Sequence, residues 1–277
     1  MQVDAHQHFW RVARGDYGWL TQEAHPFICR DFGPDDLRPL LGAAEVERTV
    51  LVQAAPTLAE TEFLLSLATA TPFVAGVVGW ADFEAAHAAD TVGALARDPA
   101  LIGLRPMLQD LADHAWILRP ALGPALDAMQ AVGLRLDALV TPRHLPHLAK
   151  FLARRPDLKV VIDHGAKPDI GGGGSPGWAE AMRAIGRDSG AFCKLSGLVT
   201  EAGEGWTAEQ LKPFVEVLIE AFGPARLMWG SDWPVVEEAG GYTAWRAAAE
   251  ALTAQLSPAD RALIFGDAAA AFYGIGA

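Results

Sequence analysis

The chain has 277 residues, of which 51% are hydrophobic and 20% charged, the balance of a globular enzyme with a large core. Its formal net charge of -12 argues against nucleic acid and against an anionic membrane as partners, because both demand a basic face. Two cysteines, Cys29 and Cys193, stand far apart with no CxxC pairing, so no disulfide framework is expected.

In chain order, apolar runs predict strands at QVDAHQHF, RTVLVQA, FVAGVVGW, LIGLRPML, LRLDAL, KVVIDHG, FCKLSG and RLMWGSD. Helical patterns lie between them: LAETEFLLSLATA, FEAAHAADTVGALARD, PALGPALDAMQAV, PRHLPHLAKFLARR, WAEAMRAIGRD and AEQLKPFVEVLIEAFG. Such alternation implies βαβ units around a parallel sheet, and eight of them suit an α/β fold of the (β/α)8 TIM-barrel type. A doubly wound sheet would carry a glycine-rich phosphate loop after the first strand, and no GxGxxG is found there. The cluster GGGGSPG at 171–177 lacks a Walker lysine and reads as a flexible loop. No composition shift marks a boundary, so residues 1–277 read as one domain, closed by a last helix from about Pro258 to Tyr273. The start MQVDAHQHFW has no basic and apolar leader, and no apolar run reaches the ~20 residues of a membrane span, so a cytoplasmic location is expected.

Barrel chemistry sits where strands end, which sorts the polar residues. Asp4, His6 and His8 alternate along the first strand and should share its inward face. Both imidazoles can then reach one divalent ion at about 2.0–2.1 Å, or can stand as hydrogen-bonded interior histidines. Gln53, Trp80, Arg105, Asp137, His164, Lys194 and Asp232 end the next seven strands in turn. His164, in VVIDHGAKP, suits a third ligand, an electrophile or a proton shuttle, with Asp163 orienting a neighbour or closing the turn and Lys167 following. Asp232, in RLMWGSDWPV, can bind a metal and take a proton from water, with Trp233 and Pro234 walling the pocket. Arg105 must pair with a protein acid or a substrate oxygen. Gln53, Lys167, Trp80 and Trp233 join it as substrate-side candidates, while Asp137, Lys194 and Glu201 receive no role. Tryptophans at strand ends, including Trp10, Trp19, Trp116, Trp178 and Trp206, suit sugar stacking or loop anchoring. His144 and His147 read as a solvated helix face.

Six ordered segments, DAHQHFW, LVQAAPTLAETEFLL, GLRPMLQD, VIDHGAKPDI, KLSGLVTEA and RLMWGSDWPV, carry a resemblance that runs nearly end to end. The chain resembles the amidohydrolase superfamily, and within it the amidohydrolase 2 group of metal-dependent TIM-barrel hydrolases to which L-fuconolactonases and L-rhamnonolactonases belong. The resemblance implies a distorted barrel that opens a sugar lactone to its aldonic acid. It places His6 and His8 as the metal pair, His164 as the sixth-strand histidine and Asp232 as general base. One divalent ion, Zn²⁺ first, or none is implied. LRLDAL offers Asp137 where many members have histidine, and no lysine ends strand four or five to bridge two metals. The expected partner is a small lactone, with a homo-oligomer open. Two other chemistries fit the same barrel: metal-dependent decarboxylation of an unsaturated or aromatic acid, and hydrolysis of a non-sugar dicarboxylate lactone. A barrel that binds sugar acids without turnover is the non-enzymatic alternative.

Overall fold

The computed structural model describes residues 1–276. Eight parallel strands follow one another: β1 (Val3–Gln7), β2 (Arg48–Val52), β3 (Val74–Gly79), β4 (Leu101–Leu104), β5 (Arg135–Ala138), β6 (Val160–Ile162), β7 (Phe192–Leu195) and β8 (Leu227–Trp229). Each pairs with the next in a single sheet. Around them run α1 (Pro34–Ala43), α2 (Leu58–Ala70), α3 (Ala88–Leu95), α4 (Gly123–Val132), α5 (Leu145–Arg154) and α6 (Trp178–Asp188). The short α7 (Leu198–Ala202), α8 (Ala208–Phe222), α9 (Gly241–Leu252), α10 (Pro258–Ala262) and α11 (Ala268–Tyr273) complete the order. The chain is a distorted (β/α)8 barrel, with a strand at each of the eight predicted places.

Helix ends follow their caps. Thr57 accepts the Glu60 N–H at 3.0 Å and starts α2 at Leu58. Thr207 and Gln210 exchange side-chain and backbone bonds at 3.3 and 2.8 Å before α8, a capping box. Three helices escape the sequence pattern, the short α7 among them. α1 opens on Pro34 and contains Pro39, while α9 follows Gly240 with Gly241 as its first residue. The closing helix runs from Pro258 to Tyr273 as expected, with one wide π-turn, Leu263–Asp267, between α10 and α11. Gly266 in that turn lies so close to Met1 that a Cβ would collide with its carbonyl.

The barrel floor is apolar. Val3, Ala5, Val50, Val52, Val78, Ile102, Val161 and Met228 pack together on top of Phe272 and Tyr273 of α11. Each fully buried aliphatic or aromatic side chain contributes about 1.5–3 kcal/mol. Among the described residues no ladder joins β8 to β1. Main-chain bonds just beyond β8 close that seam, with Asp232 N–H on His6 O at 2.8 Å and His8 N–H on Trp233 O at 2.7 Å. Gly230 permits this approach, since a Cβ there would stand 2.8 Å from His6 Cβ. The seam therefore carries Asp232 directly to the two histidines of β1.

Candidate active site

The expected alternation along β1 is interrupted. Its pairing with β2 shifts register between Asp4 and Gln7, so Val3 and Ala5 belong to the floor while His6 and His8 project above it. Asp4 leaves that face. Its carboxylate accepts Ser231 N–H at 2.8 Å and His6 N–H at 3.2 Å, which ties β1 to the loop before Asp232.

Above the floor, His6 Nε2 and His8 Nε2 stand 3.2 Å apart. Asp232 Oδ1 lies 3.3 Å from His8 Nε2, 3.6 Å from His6 Nε2 and 3.8 Å from His164 Nε2. His8 Nδ1 donates to Val52 O at 2.8 Å, a carbonyl that can only accept, so in the neutral ring Nε2 has no hydrogen and in the imidazolium it donates to Asp232 Oδ1. His164 Nδ1 pairs with Ser196 Oγ at 2.8 Å. Asp232 and His164 adopt left-handed backbone conformations, φ 58° and 54°, that L-residues rarely take. Such strain concentrates at functional sites. Gly197, φ 66°, leaves room for the His164 ring, which a Cβ would approach to 2.7 Å.

A layer of charge lies immediately below. Lys194 Nζ contacts Asp137 Oδ2 at 2.5 Å, His6 Nδ1 at 3.0 Å and Asp163 Oδ1 at 3.1 Å. Tyr273 donates to Asp137 Oδ2 at 2.7 Å. Arg105 reaches Asp163 Oδ2 at 3.3 Å and His6 Nε2 at 3.4 Å. Its guanidinium also donates to Gln53 O, and Gln53 Nε2 donates back to Arg105 O at 2.8 Å. Asp137 and Lys194 receive no role from the sequence, and Asp163 is read there only as orienting a neighbour or closing the turn. Their signal was a lysine and two acids on inward positions of otherwise apolar strands, where each charge needs a partner.

Burial and charge divide the titrating groups. Burial lowers His164 to about 4 against the pull of Asp232, so the imidazole is neutral at neutral pH. Burial, then Lys194, hold His6 well below the ordinary imidazole range. Burial alone would raise Asp232, but His164, His8 and His6 outweigh it and hold the carboxyl below its ordinary range. Burial raises Asp137 to about 6 despite Lys194. Accessibility decides which groups meet a ligand. Asp232 (6% exposed), His164 (4%), His8 (3%) and Arg105 (3%) keep some surface, whereas His6, Asp163 and Lys194 have none.

The substrate-side candidates separate. Arg105 and Gln53 border the imidazole cluster. Lys167, left-handed at φ 50°, bonds Gln109 Oε1 and Glu201 Oε1, both at 3.2 Å. Trp80 is half-buried, with its backbone N–H on Thr61 Oγ1 at 2.8 Å. Trp233 is 2% exposed, packed against Phe9 and Phe32, so its ring supports the Asp232 turn. Other tryptophans anchor loops through their indole N–H: Trp10 to Arg30 O, Trp19 to Ala54 O, Trp178 to Gly165 O and Trp206 to Ala239 O. The solvated-face reading of His144 is corrected. That ring is buried and accepts the Thr141 N–H at 3.1 Å, capping the entry to α5.

The set His6, His8 and Asp232 fits a divalent metal. Ligand separations of 3.2, 3.3 and 3.6 Å match the ~3.3 Å edge that tetrahedral Zn²⁺ with bonds of about 2.0–2.1 Å requires. A bare His8 nitrogen facing a carboxylate oxygen also calls for a cation or a proton between them.

The amidohydrolase family model matches residues 3–275. The chain is 50% identical to an L-fucono-1,5-lactonase of Burkholderia ambifaria over 99% of its own length and 96% of the relative's. It is 37% identical to an L-fucono-1,5-lactonase of Burkholderia multivorans, over 99% and 96%. A solved amidohydrolase of Burkholderia multivorans with bound zinc superposes with a TM-score of 0.92 at 36% identity, each chain covered completely. The chain belongs to the amidohydrolase family.

Proposed function

We propose that this enzyme opens the ring of a sugar lactone by adding water across its acyl–oxygen bond, with Asp232 as the group that moves the proton. The observation that carries the reading is Asp232 Oδ1, 3.3–3.8 Å from three imidazole nitrogens that hold it ionised. An ionised, slightly exposed carboxylate is equipped to take a proton from water as that water attacks the lactone carbonyl. His164 is neutral. With Ser196 O–H donating to its Nδ1, its Nε2–H is free to donate to the developing oxyanion. When the tetrahedral adduct collapses, the ring oxygen leaves and Asp232 returns the proton to it, giving the hydroxy acid. Losing one oxyanion donor typically costs about 3 kcal/mol of barrier.

His6, His8 and Asp232 are the residues that hold a metal, Zn²⁺ first; when bound, it supplies Lewis-acid polarisation of the carbonyl or the water. Arg105 borders the pocket, Trp80 follows β3, and Lys167 meets Glu201 and Gln109, hydroxyl-binding groups from the segments after β6, β7 and β4. The relatives' activity makes L-fucono-1,5-lactone the first substrate to try. A decarboxylase would need Arg105 free to grip a carboxylate, and here Asp163 and Gln53 engage it. The test is acid release from a panel of aldonolactones with and without chelator. Acid from at least one lactone, above the spontaneous rate, is expected. Loss on chelation assigns the histidine pair to a required metal, and acid from none of the lactones sinks the reading.

A further inference from the structure

The chemistry assigned to Asp232 and His164 leaves one ion pair beside them without a task. Lys167 ends a turn in which four successive residues are left-handed: His164 at φ 54°, Gly165 at 57°, Ala166 at 61° and Lys167 at 50°. The Lys167 N–H closes it on His164 O at 2.8 Å. Strain of this kind persists only where the surroundings fix it, so the turn sets His164 and Lys167 relative to one another. His164, held low first by burial, also feels the Lys167 charge. Glu201 reaches the same place from α7, through the segment where Gly197 makes room for the His164 ring.

Lys167 Nζ meets Glu201 Oε1 and Gln109 Oε1, both at 3.2 Å. The two charged side chains stay partly exposed, at 25% and 22%, and an ion pair that exposed contributes little to stability. Among the described residues, Glu201 Oε2 and the third ammonium hydrogen of Lys167 have no partner. A donor and an acceptor side by side suit a hydroxyl, which both gives and accepts a hydrogen bond. A carboxylate only accepts, and it would meet the Glu201 charge. Other cations nearby are spent too: Arg105 on Asp163 and the Gln53 carbonyl, Arg119 on Glu84 and Asp113. Arg143 donates to Gln109 O at 2.8 Å and pairs with no acid among the described residues. The stretches 196–207 and 230–240, after β7 and β8, hold Glu201, Glu204, Asp232, Glu237 and Glu238 and no lysine or arginine. We infer that Glu201 is a specificity-determining residue: by neutralising Lys167 it makes the site accept a neutral, hydroxylated lactone and turn away one that carries a second carboxylate. The inference rests on the reading of this site as a lactonase.

The test uses three 1,5-lactones of L-galacto configuration that differ only at C6. That carbon is a methyl in L-fucono-1,5-lactone, a hydroxymethyl in L-galactono-1,5-lactone and a carboxylate in the 1,5-lactone of galactarate. The unaltered protein should show a kcat/KM for the neutral pair about 10-fold or more above that for the anion. Glu201→Gln keeps the shape and frees the Lys167 charge, so the preference should shrink by about 10-fold, through a lower KM for the anionic lactone. Added salt should restore part of it by screening the freed ammonium. An unchanged ratio in the variant overturns the inference, as does an unaltered protein that takes the anion as readily as the neutral lactones. A glutamate that only holds α7 in place would slow all three alike and leave the ratio where it was. Dissociation constants of the matching 1,5-lactams, which resist hydrolysis, read the same preference without turnover. If none of the lactones is opened, the lactonase reading fails, and the lactam ratio still decides the part played by Glu201. Lactams that bind neither protein overturn both.

Discussion

Asp232 and His164 divide the work because their surroundings push them in opposite senses: three imidazoles keep the carboxyl ionised, and burial keeps the imidazole neutral. Asp232→Asn should lower kcat by about 10³-fold while circular dichroism and Tm stay close to the parent, since the amide keeps the shape and loses the base. A rate within tenfold of the parent (about 1.4 kcal/mol) would move the proton elsewhere. The pH profile follows from the same contrast. His164 is depressed from 6.5 to about 4, so its neutral form is complete above 6.5 and is lost only as pH falls toward 4. kcat/KM should therefore stay level from pH 7 to about 5, and an acid limb centred on an ordinary imidazole value would contradict this. His6, His8, His164 and Asp232 were legible because each falls on or at the end of a predicted strand, where a barrel gathers its chemistry, and because they lie in the segments that carry the family resemblance. The inner charge layer was less legible. Asp137, Lys194 and Tyr273 lie in three different segments, and only the closed sheet shows that they meet.

At the scale of elements, α2 and α6 coincide end to end with their predicted segments, α2 because Thr57 caps its start and α6 because its apolar residues keep to one face. α1 was hidden by Pro34 at its start and Pro39 inside it, and α9 by Gly240 and Gly241 at its start. The register shift in β1 was invisible for another reason: two-residue alternation is a property of regular pairing, and the pairing partner fixes where it slips. The turn after β2 illustrates how an element serves the site. Buried Glu60, in the first turn of α2, accepts Ala54 N–H with both oxygens at 3.0 and 3.1 Å and Ala55 N–H at 2.7 Å. That turn presents the Gln53 carbonyl to Arg105. Glu60→Gln sets an amide donor against these N–H groups and should cost about 1–3 kcal/mol. Urea unfolding should show a lower midpoint at unchanged slope, and an unchanged midpoint would remove Glu60 from this role.

In the whole molecule, the two ends of the chain build one wall and the floor beneath it. β1 meets the segment after β8 at the seam that creates the site, and α11 seals the barrel from below. Tyr273 connects floor to site through Asp137 and Lys194. Tyr273→Phe leaves Asp137 one partner short and should lower stability by about 1–3 kcal/mol. For a chain of this size that is about 2–4 °C of Tm per kcal/mol, and an unchanged calorimetric Tm would show that the floor is not locked through this bond. The central claim, water added at a lactone carbonyl with Asp232 moving its proton, is tested most directly in ¹⁸O-labelled water. L-Fucono-1,5-lactone incubated with the enzyme should give the open acid with one label in the carboxylate and none at the former ring oxygen, at a rate that collapses in Asp232→Asn. Ring opening no faster than the spontaneous reaction, or equally fast in the variant, would contradict the account.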